Sequence, residues 1–335
     1  MARTISFTSH DAAQVRFGRS CLWEVLTSLR VLREPANHGL HLPWARQAGP
    51  RVAARLGHEA PVEMRTAFAL LGDLVGSGVH GHYAPDLLTP PPTSLEPSIE
   101  RELEALLGTP DDVVRHQLRH LRYRWTPSLQ AMYDHPGVQL VALADVIDRY
   151  WHAALAPFWA PITAVAETEV FMRSQQQASA GTATLLNDLH DRVHWNGESL
   201  HVSGTACLGE RDLDGGGLCL VPSIFVWPGV LVVADSHTAQ LAYPCRGVGT
   251  VWEGGFPSPH ALEHVLGRSK ARLLASLDSP ASTTDVAARV QLSVSATSEH
   301  LAALKAAGLL RTRRSGRSIL HLRTAVANAL LAGST

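Results

Sequence analysis

Residues 282–310 decide the fold of the C-terminal part of the chain, and they read STTDVAARVQLSVSATSEHLAALKAAGLL. Ser282 and Asp285 form a Ser-x-x-Asp helix start, in which both side chains can satisfy free backbone N–H groups of the first turn. The short helix that follows places Val286 and Val290 one turn apart on a single face. This pattern predicts the first helix of a two-helix motif.

A second, longer helix follows the tight connection at residues 291–293, and Ser293 is placed to cap it. Gly308 ends this helix, at a point where the chain needs a left-handed residue. The positions predicted to face inward, at i, i+3, i+7 and i+10, are Val294, Thr297, Leu301 and Leu304. Two helices joined by so short a turn predict a helix-turn-helix.

Two short strands come next, at about Leu309–Arg313 and Ser318–Leu322. The residues between them, 314–317, read Arg-Ser-Gly-Arg, which is typical of a hairpin turn. This order of elements predicts a winged helix-turn-helix domain at residues 260–331.

Charge is distributed unevenly along the chain. The whole sequence carries a formal net charge of −1, whereas residues 268–323 hold ten Lys or Arg and three Asp or Glu. These 56 residues therefore carry +7, and the rest of the chain carries −8. A compact basic module on a larger acidic body is expected of a nucleic-acid reader with a separate sensing or assembly domain.

The second helix of such a pair fits the major groove of DNA, so we predict double-stranded DNA as the partner. The arginines of the hairpin suit phosphates or the minor groove. The predicted DNA-contacting residues are Ser293, Ser295, Ala296, Ser298, Glu299, His300, Arg313, Arg314 and Arg317. A winged helix that only mediates protein contacts is the alternative.

The C-terminal module resembles the ArsR-type winged-helix repressors over residues 260–331, about a fifth of the chain. The segments that resemble their opening helix, first motif helix, recognition helix and wing are 266–277, 283–287, 293–310 and 318–322. The resemblance implies a homodimer on an inverted-repeat operator, usually a repressor. It also implies that Ser298 and His300 lie where the family contacts DNA.

Two features depart from that family. Its metal sensors carry cysteines in the first motif helix, whereas this module holds no cysteine, and residues 325–331 lack the Asp and His of a zinc site. We therefore expect neither arsenic nor zinc sensing, and no cofactor. Glu299 stands where a basic or neutral residue is commoner. It either accepts a hydrogen bond from a cytosine amino group or is a solvated acid that lowers non-specific affinity.

The first 255 residues or so are an addition to the usual layout of that family. Residues 1–195 are predicted to be a helical regulatory or dimerisation region, and residues 196–256 a strand-rich subregion packed on it. Strands are predicted at 218–221, 224–227 and 230–233. The predicted fold class is α+β: a mostly helical N-terminal body with a small antiparallel sheet, then the winged helix-turn-helix.

The N-terminal part offers only isolated candidates for metal-binding or catalytic residues. Histidines that could share a metal occur in pairs four residues apart or as His-Gly-His, namely His116/His120, His190/His194, His260/His264 and His80/His82. Solvated or loop histidine is the better interpretation of each pair. Cys207, Cys219 and Cys245 are expected to be buried thiols, and residues 214–217 (Asp-Gly-Gly-Gly) a turn. We predict no metal site, no catalytic residues and no enzyme activity.

The remaining features bound the class of protein. Four cysteines are no disulfide framework, no stretch is apolar enough for a membrane span, and residues 1–7 lack the core of a signal peptide, which favours the cytoplasm. The use of 27 Arg and 2 Lys indicates a GC-rich bacterial genome. The sequence therefore predicts a homodimeric DNA-binding transcriptional regulator whose N-terminal region dimerises, binds an effector, or both. The alternative is a small-molecule-binding protein or enzyme that uses its winged helix for protein–protein assembly.

Overall fold

The chain forms two compact units, residues 1–249 and 250–335. A computed structural model describes residues 2–76, 84–121, 125–204, 209–233, 238–253, 263, 266–277, 281–315, 318–324, 326–327 and 330–331. The sequence also predicts a linker at residues 254–259, which read Gly-Gly-Phe-Pro-Ser-Pro, and these residues lie outside the described ones. The domain boundaries predicted at 195 and 256 stay predictions.

The first unit is mostly helical, as predicted. Its α-helices are α1 (Ser9–Ala13), α2 (Cys21–Arg33), α3 (Leu42–Leu56), α4 (Val62–Val75), α5 (Ile99–Leu107), α6 (Asp111–Arg119), α7 (Pro127–Asp134), α8 (Pro136–Tyr150) and α9 (Trp159–Asn187). A π-helical turn at Trp151–Leu155 follows α8, and 3₁₀ turns lie at Pro35–Asn37, Gly39–His41, Asp86–Leu88 and Ala156–Phe158. None of the helices in the described ranges combines the length and apolarity needed to cross a bilayer.

The first turn of helix α2 is capped by two side chains that are far apart in the sequence, Ser20 and Glu102. Ser20 caps it, since its Oγ accepts a hydrogen bond from the Trp23 backbone N–H at 3.0 Å. The carboxylate of Glu102, which lies on α5, accepts from the backbone N–H groups of Cys21 and Leu22 at 3.0 and 2.9 Å. These bonds satisfy the first N–H groups of α2 and tie it to α5.

Helix α9 reverses direction at Gly181, where φ is 80° and ψ is 165°. The Arg173 Nη1 lies 2.7 Å from Oδ2 of Asp188. A straight helix would separate residues 173 and 188 by about 22 Å, so the two arms of α9 must lie side by side. Arg173 also pairs with Glu169 at 2.7 Å, and both side chains are 2 % exposed.

The strands of the first unit form two four-stranded sheets. The strands are β1 (Ala2–Ser6), β2 (Val15–Phe17), β3 (Val193–Trp195), β4 (Ser199–Ser203), β5 (Gly209–Asp212), β6 (Leu218–Ser223), β7 (Leu231–Val233) and β8 (Ala239–Pro244). Their orders are β3-β4-β1-β5 and β2-β6-β8-β7. A core of aliphatic side chains, including Ile5, Leu200 and Leu220, packs between these strands and the second arm of α9.

The α+β class is confirmed, but the sheets differ from the small antiparallel sheet that the sequence predicted. β1 runs antiparallel to β4 and parallel to β5, and β6 runs parallel to both β2 and β8. The sheets are therefore mixed, and each takes one strand from the first 17 residues. The partners of β1 and β2 lie about 200 residues further along the chain, beyond the reach of local sequence patterns.

The strand predicted at 224–227 is wrong, because these residues form a turn. The backbone N–H groups of Ile224 and Phe225 donate to the carboxylate of Glu24 at 2.9 and 3.4 Å. These donors are thus used by a side chain of α2 rather than by a neighbouring strand. The strands predicted on either side of the turn correspond to β6 and β7.

The second unit has the order of elements predicted for a winged helix-turn-helix. Its elements are α10 (Thr250–Glu253), α11 (Arg268–Ala275), β9 (Ala281–Ser282), α12 (Thr283–Val290), α13 (Val294–Ala306), β10 (Leu310–Ser315) and β11 (Ser318–Arg323). The strands form one sheet in the order β10-β11-β9. The buried core comprises Ala271, Leu273, Leu274, Leu277, Ala281, Val286, Val290, Leu301, Leu304, Leu309, Leu310 and Ala327.

One inward position predicted for α13 is wrong. Val294 is 51 % exposed, whereas Thr297, Leu301 and Leu304 are buried as expected. Val294 is the first residue of α13.

Candidate nucleic-acid interface

The two helices of the motif are both capped by side chains, as the sequence predicts. At the start of α12, Ser282 Oγ accepts from the Asp285 backbone N–H, and the Asp285 carboxylate accepts from the Ser282 backbone N–H at 3.2 Å. The hydrogen bonds from Ser282 lower the pKa of Asp285. At the start of α13, Ser293 Oγ accepts from the Ala296 backbone N–H at 3.2 Å. These caps set where each helix begins.

The connection between the helices depends on a left-handed residue that the sequence analysis missed. Gln291 has φ 57° and ψ 45°, a conformation that residues other than glycine adopt infrequently. The backbone N–H of Leu292 donates to the carbonyl of Ala287 at 3.1 Å and closes the turn. A glycine would have signalled this turn in the sequence, whereas glutamine does not. Gly308, in contrast, has φ 73° as predicted.

The outward face of α13 contains the residues predicted to contact DNA. Ser293, Ser295, Ser298 and Glu299 are exposed, and Ala296 and His300 are half-buried. The hydroxyls of Ser293 and Ser295 lie 3.2 Å apart in the first turn. Apart from the exposed Val294, the side chains around the N terminus of α13 are therefore small, and most are polar, which leaves its backbone accessible to a neighbouring molecule.

The hairpin of β10 and β11 carries the exposed arginines. The strands pair from Leu310 with Arg323 to Ser315 with Ser318. Arg311 and Arg313 are both exposed, and they share one face of β10 because side chains alternate along a strand. Arg313 was predicted and Arg311 was missed, although its charge and spacing were visible in the sequence. Arg317 and the side chain of Arg314 lie outside the described part of the structure.

Two of the ten basic residues serve the fold of the unit. Arg272 of α11 donates to the carbonyl of Val290 at the end of α12, at 3.4 Å. Arg289 of α12 donates to the carbonyl of Ser276 just after α11, at 3.0 Å. Each arginine thus satisfies a carbonyl at the C-terminal end of the other helix. The sequence count of +7 therefore overstates the charge that is available to a ligand.

The same hairpin is joined to both helices of the motif by polar side chains. His321 on β11 lies with its Nε2 3.1 Å from Oγ1 of Thr283, the first residue of α12. Lys305 in the last turn of α13 donates from Nζ to Oγ1 of Thr312 on β10, at 3.1 Å. Burial lowers the pKa of His321, and the nearby Lys305 lowers it further.

The described residues of the first unit form no comparable cluster of metal-binding groups. No set of three or more His, Cys, Asp or Glu that could hold a metal occurs among the described residues. His190 accepts the Arg192 backbone N–H and contacts the Pro228 carbonyl at 3.1 Å. The rings of His116 and His120 lie 4.7 Å apart. The predicted candidates His80, His82, His260, His264 and Cys207 lie outside the described residues.

The thiols and the glycine-rich segment of this unit are structural. Cys219 and Cys245 are buried, as predicted, and burial raises the pKa of Cys219 to about 11. Residues 214–217 turn the chain, as predicted. The carboxylate of Asp11 accepts the backbone N–H of Gly217 at 3.1 Å. The loop therefore directs this donor to a protein carboxylate rather than to a bound phosphate.

Comparison with known proteins gives one match, at the site just described. Residues 272–312 match the model of the family described as bacterial regulatory protein, arsR family. The matched segment covers α12, α13 and parts of α11 and β10, and amounts to 41 of 335 residues. No curated protein and no solved structure is significantly similar to the chain. The match supports a DNA-binding transcriptional regulator.

Proposed function

We propose that this protein is a homodimeric transcriptional regulator that binds an inverted-repeat operator in double-stranded DNA and represses transcription in the bacterial cytoplasm. The observation that carries the proposal is the side-chain-capped helix α13, which exposes Ser293, Ser295 and Ser298 at its start, in one unit with a hairpin that bears exposed arginines. The arsR-family match over the same residues supports the DNA-binding part. The homodimer, the repression and the effector are our own inference.

In this proposal α13 reads bases. Its N-terminal half enters the major groove, where Ser295 and Ser298 hydrogen-bond base edges and Ala296 allows close approach. His300 lies one turn further along and is half-buried. Glu299 accepts from a cytosine amino group at one position or keeps the helix off non-cognate DNA.

The hairpin supplies the contacts that do not depend on sequence. Arg313, with Arg314 and Arg317 at the turn, neutralises phosphates or enters the minor groove. Arg311 lies on the same strand face as Arg313 and extends this surface by one residue pair. The Ser293 cap and the N–H groups around it favour a phosphate at the start of α13.

A symmetric dimer follows from the need to read two half-sites about one helical turn apart. Val326 and Leu330 support this view, because they are 59 % and 40 % exposed and four residues apart near the C terminus. A second copy of the same surface would cover them in a twofold interface. The first unit dimerises, binds a small-molecule effector, or both, and an effector that changes the half-site spacing would weaken binding.

The test is fluorescence anisotropy of the full-length protein on duplexes tiling the DNA upstream of its own gene, and on a scrambled duplex, across a salt series. We expect specific binding at least about 10³-fold tighter than binding to the scrambled duplex. Arg313→Ala should weaken binding to every duplex and reduce the slope of log K against log salt by about 0.9. Ser298→Ala should instead change the preference at one base position, by about 1–3 kcal/mol.

Arg65→Ala is the matched control, because Arg65 is an exposed arginine of the first unit and should leave affinity and slope unchanged. If Arg313→Ala and Ser298→Ala both behave like wild type across salt and sequence, the docking of this unit on DNA is wrong. If the wild type binds no duplex at low salt, including duplexes selected from a random library, the winged helix is a protein-contact module.

A further inference from the structure

His321 lies at the centre of the small sheet of the second unit. β11 is the middle strand of the order β10-β11-β9, and His321 is paired with Thr312 on one side and with Ala281 on the other. Its Nε2 is hydrogen-bonded to Oγ1 of Thr283 at 3.1 Å. One imidazole therefore joins the central strand of the wing to the first residue of α12.

The second helix is joined to the same face of the hairpin. Thr312 is directly opposite His321 in the register of β10 and β11, and residues directly opposite each other project from the same face. Thr312 accepts a hydrogen bond from Lys305 in the last turn of α13. His321 and Thr312 thus lie opposite each other on the hairpin, and each makes one hydrogen bond to a helix of the motif, His321 to α12 and Thr312 to α13.

The surroundings of His321 favour its neutral form. Its Nδ1 is buried and has no hydrogen-bond partner among the described residues. A second proton on the ring would leave a buried N–H without an acceptor. The charge would also lie near Lys305 and close to the positive end of the α12 dipole.

No acidic group among the described neighbours offsets this charge. The carboxylate of Asp285, in the first turn of α12, is already engaged by the Ser282 N–H and hydroxyl at 3.2 and 2.7 Å. Arg311 and Arg313 flank Thr312 and lie on the opposite face of β10 by strand alternation. β9 contributes Ala281, which carries no charge.

We infer that His321 is a positioning residue that holds the wing against α12, and that its protonation loosens the wing and weakens DNA binding under acidic conditions. The DNA-binding part of this inference rests on the proposed function. The direction of this pH dependence follows from the lowered pKa of His321. Because the unfolded imidazole takes up a proton first, the stabilising contribution of His321 is complete above its ordinary value of about 6.5 and is lost as the pH falls below it.

The first measurement is hydrogen–deuterium exchange of the full-length protein, without DNA, between about pH 7.5 and pH 5.5, corrected for intrinsic exchange rates. Residues 310–315 and 318–323 of wild type should lose protection about three- to tenfold on acidification. His321→Gln keeps a side-chain hydrogen bond to Thr283 within reach but does not titrate. Its hairpin should keep the same protection at both pH values.

The second measurement is the affinity for the operator over the same pH range at constant ionic strength. The ratio of wild-type to His321→Gln affinity should fall about three- to tenfold on acidification, because all other histidines are common to both proteins. His58→Gln is the matched control, because the His58 side chain is exposed in the first unit. The ratio of wild-type to His58→Gln affinity should stay constant over this pH range.

The two measurements separate this inference from the proposed function. Equal and pH-independent protection of the hairpin in wild type and His321→Gln would overturn the role of His321, whatever the protein binds. If the protection of the hairpin depends on pH but the protein binds no DNA, the role of His321 stands and the proposed DNA-binding function is wrong. A pH-dependent hairpin with a constant affinity ratio would show that wing position does not control DNA binding.

Discussion

The two units differ in how far apart along the chain their contacting residues lie. In the second unit, the capping hydrogen bonds of α12 and α13 join residues three positions apart, and the hairpin pairs strands that are neighbours in the sequence. In the first unit, Trp23 donates to Gln240 at 2.8 Å, and Glu24 accepts from Ile224 at 2.9 Å, across more than 190 residues. A local sequence pattern can specify the first kind of contact, whereas only the folded chain creates the second.

The largest expected effect breaks a long-range contact of the first unit. Glu24→Ala removes a fully buried carboxyl group that accepts from Ile224 and from the Ser223 hydroxyl, at 2.9 and 3.0 Å. Leaving these donors buried without an acceptor should lower the free energy of unfolding by about 3–5 kcal/mol. Urea unfolding monitored by tryptophan fluorescence reports this unit, because seven of the eight tryptophans lie in residues 1–249.

Glu63→Ala is the control for that experiment, since Glu63 is an exposed residue in the first turn of α4. Its effect should stay below about 0.5 kcal/mol. Similar unfolding curves for Glu24→Ala and wild type would show that the 224–227 turn does not depend on this carboxyl group.

A smaller effect comes from the charge on Glu24. Burial raises the pKa of Glu24 from 4.5 to about 7, so the folded unit binds a proton that the unfolded chain releases between these values. The free energy of unfolding therefore decreases as the pH rises from about 4.5 through 7. Glu24→Gln carries no charge, so its stability relative to wild type should rise by about 1–3 kcal/mol over this range. A constant difference from acid to neutral pH would contradict this account.

The matching change in the second unit breaks a local contact. Ser282→Ala removes the cap of α12 and should destabilise that helix by about 1 kcal/mol, measured as faster amide exchange over residues 283–290. Ser269→Ala, which removes a partly exposed hydroxyl in the first turn of α11, should leave those amides unchanged. An effect of Ser282→Ala as large as that of Glu24→Ala would contradict the contrast between the units.

The smallest expected effect is a gain in stability. Thr297 on α13 is fully buried, and its hydroxyl has no hydrogen-bond partner among the described residues. Thr297→Val keeps the shape and removes that buried hydroxyl, so it should stabilise the second unit by up to about 1 kcal/mol. Its DNA affinity should equal that of wild type, whereas Ser298→Val, one position along on the exposed face, should bind DNA more weakly without a gain in stability. A destabilised Thr297→Val would show that the hydroxyl is satisfied in solution.

Prediction from the sequence succeeded where the physical cause is local. The capping box of Ser282 and Asp285, the Ser293 cap and the left-handed Gly308 all occur as predicted. It failed where the chain departs from local rules, at the left-handed Gln291 and at the exposed Val294. The placement of Ser298, Glu299 and His300 on the outer side of α13 agrees with the predicted site, whereas their contact with DNA stays a prediction.

The sequence by itself determined the winged helix-turn-helix, because caps, turn residues and helical periodicity act over a few residues and leave readable signals. Only the tertiary structure decided that β1 and β2 enter the two sheets, since their partners lie about 200 residues away. It also decided that Arg272 and Arg289 donate hydrogen bonds to backbone carbonyls at helix ends. It placed His321 against Thr283, and Thr312, the residue opposite His321, against Lys305. An arginine or a histidine is written the same way in the sequence whether its side chain faces solvent or a protein hydrogen-bond partner. Only the packing of the folded chain distinguishes these two environments.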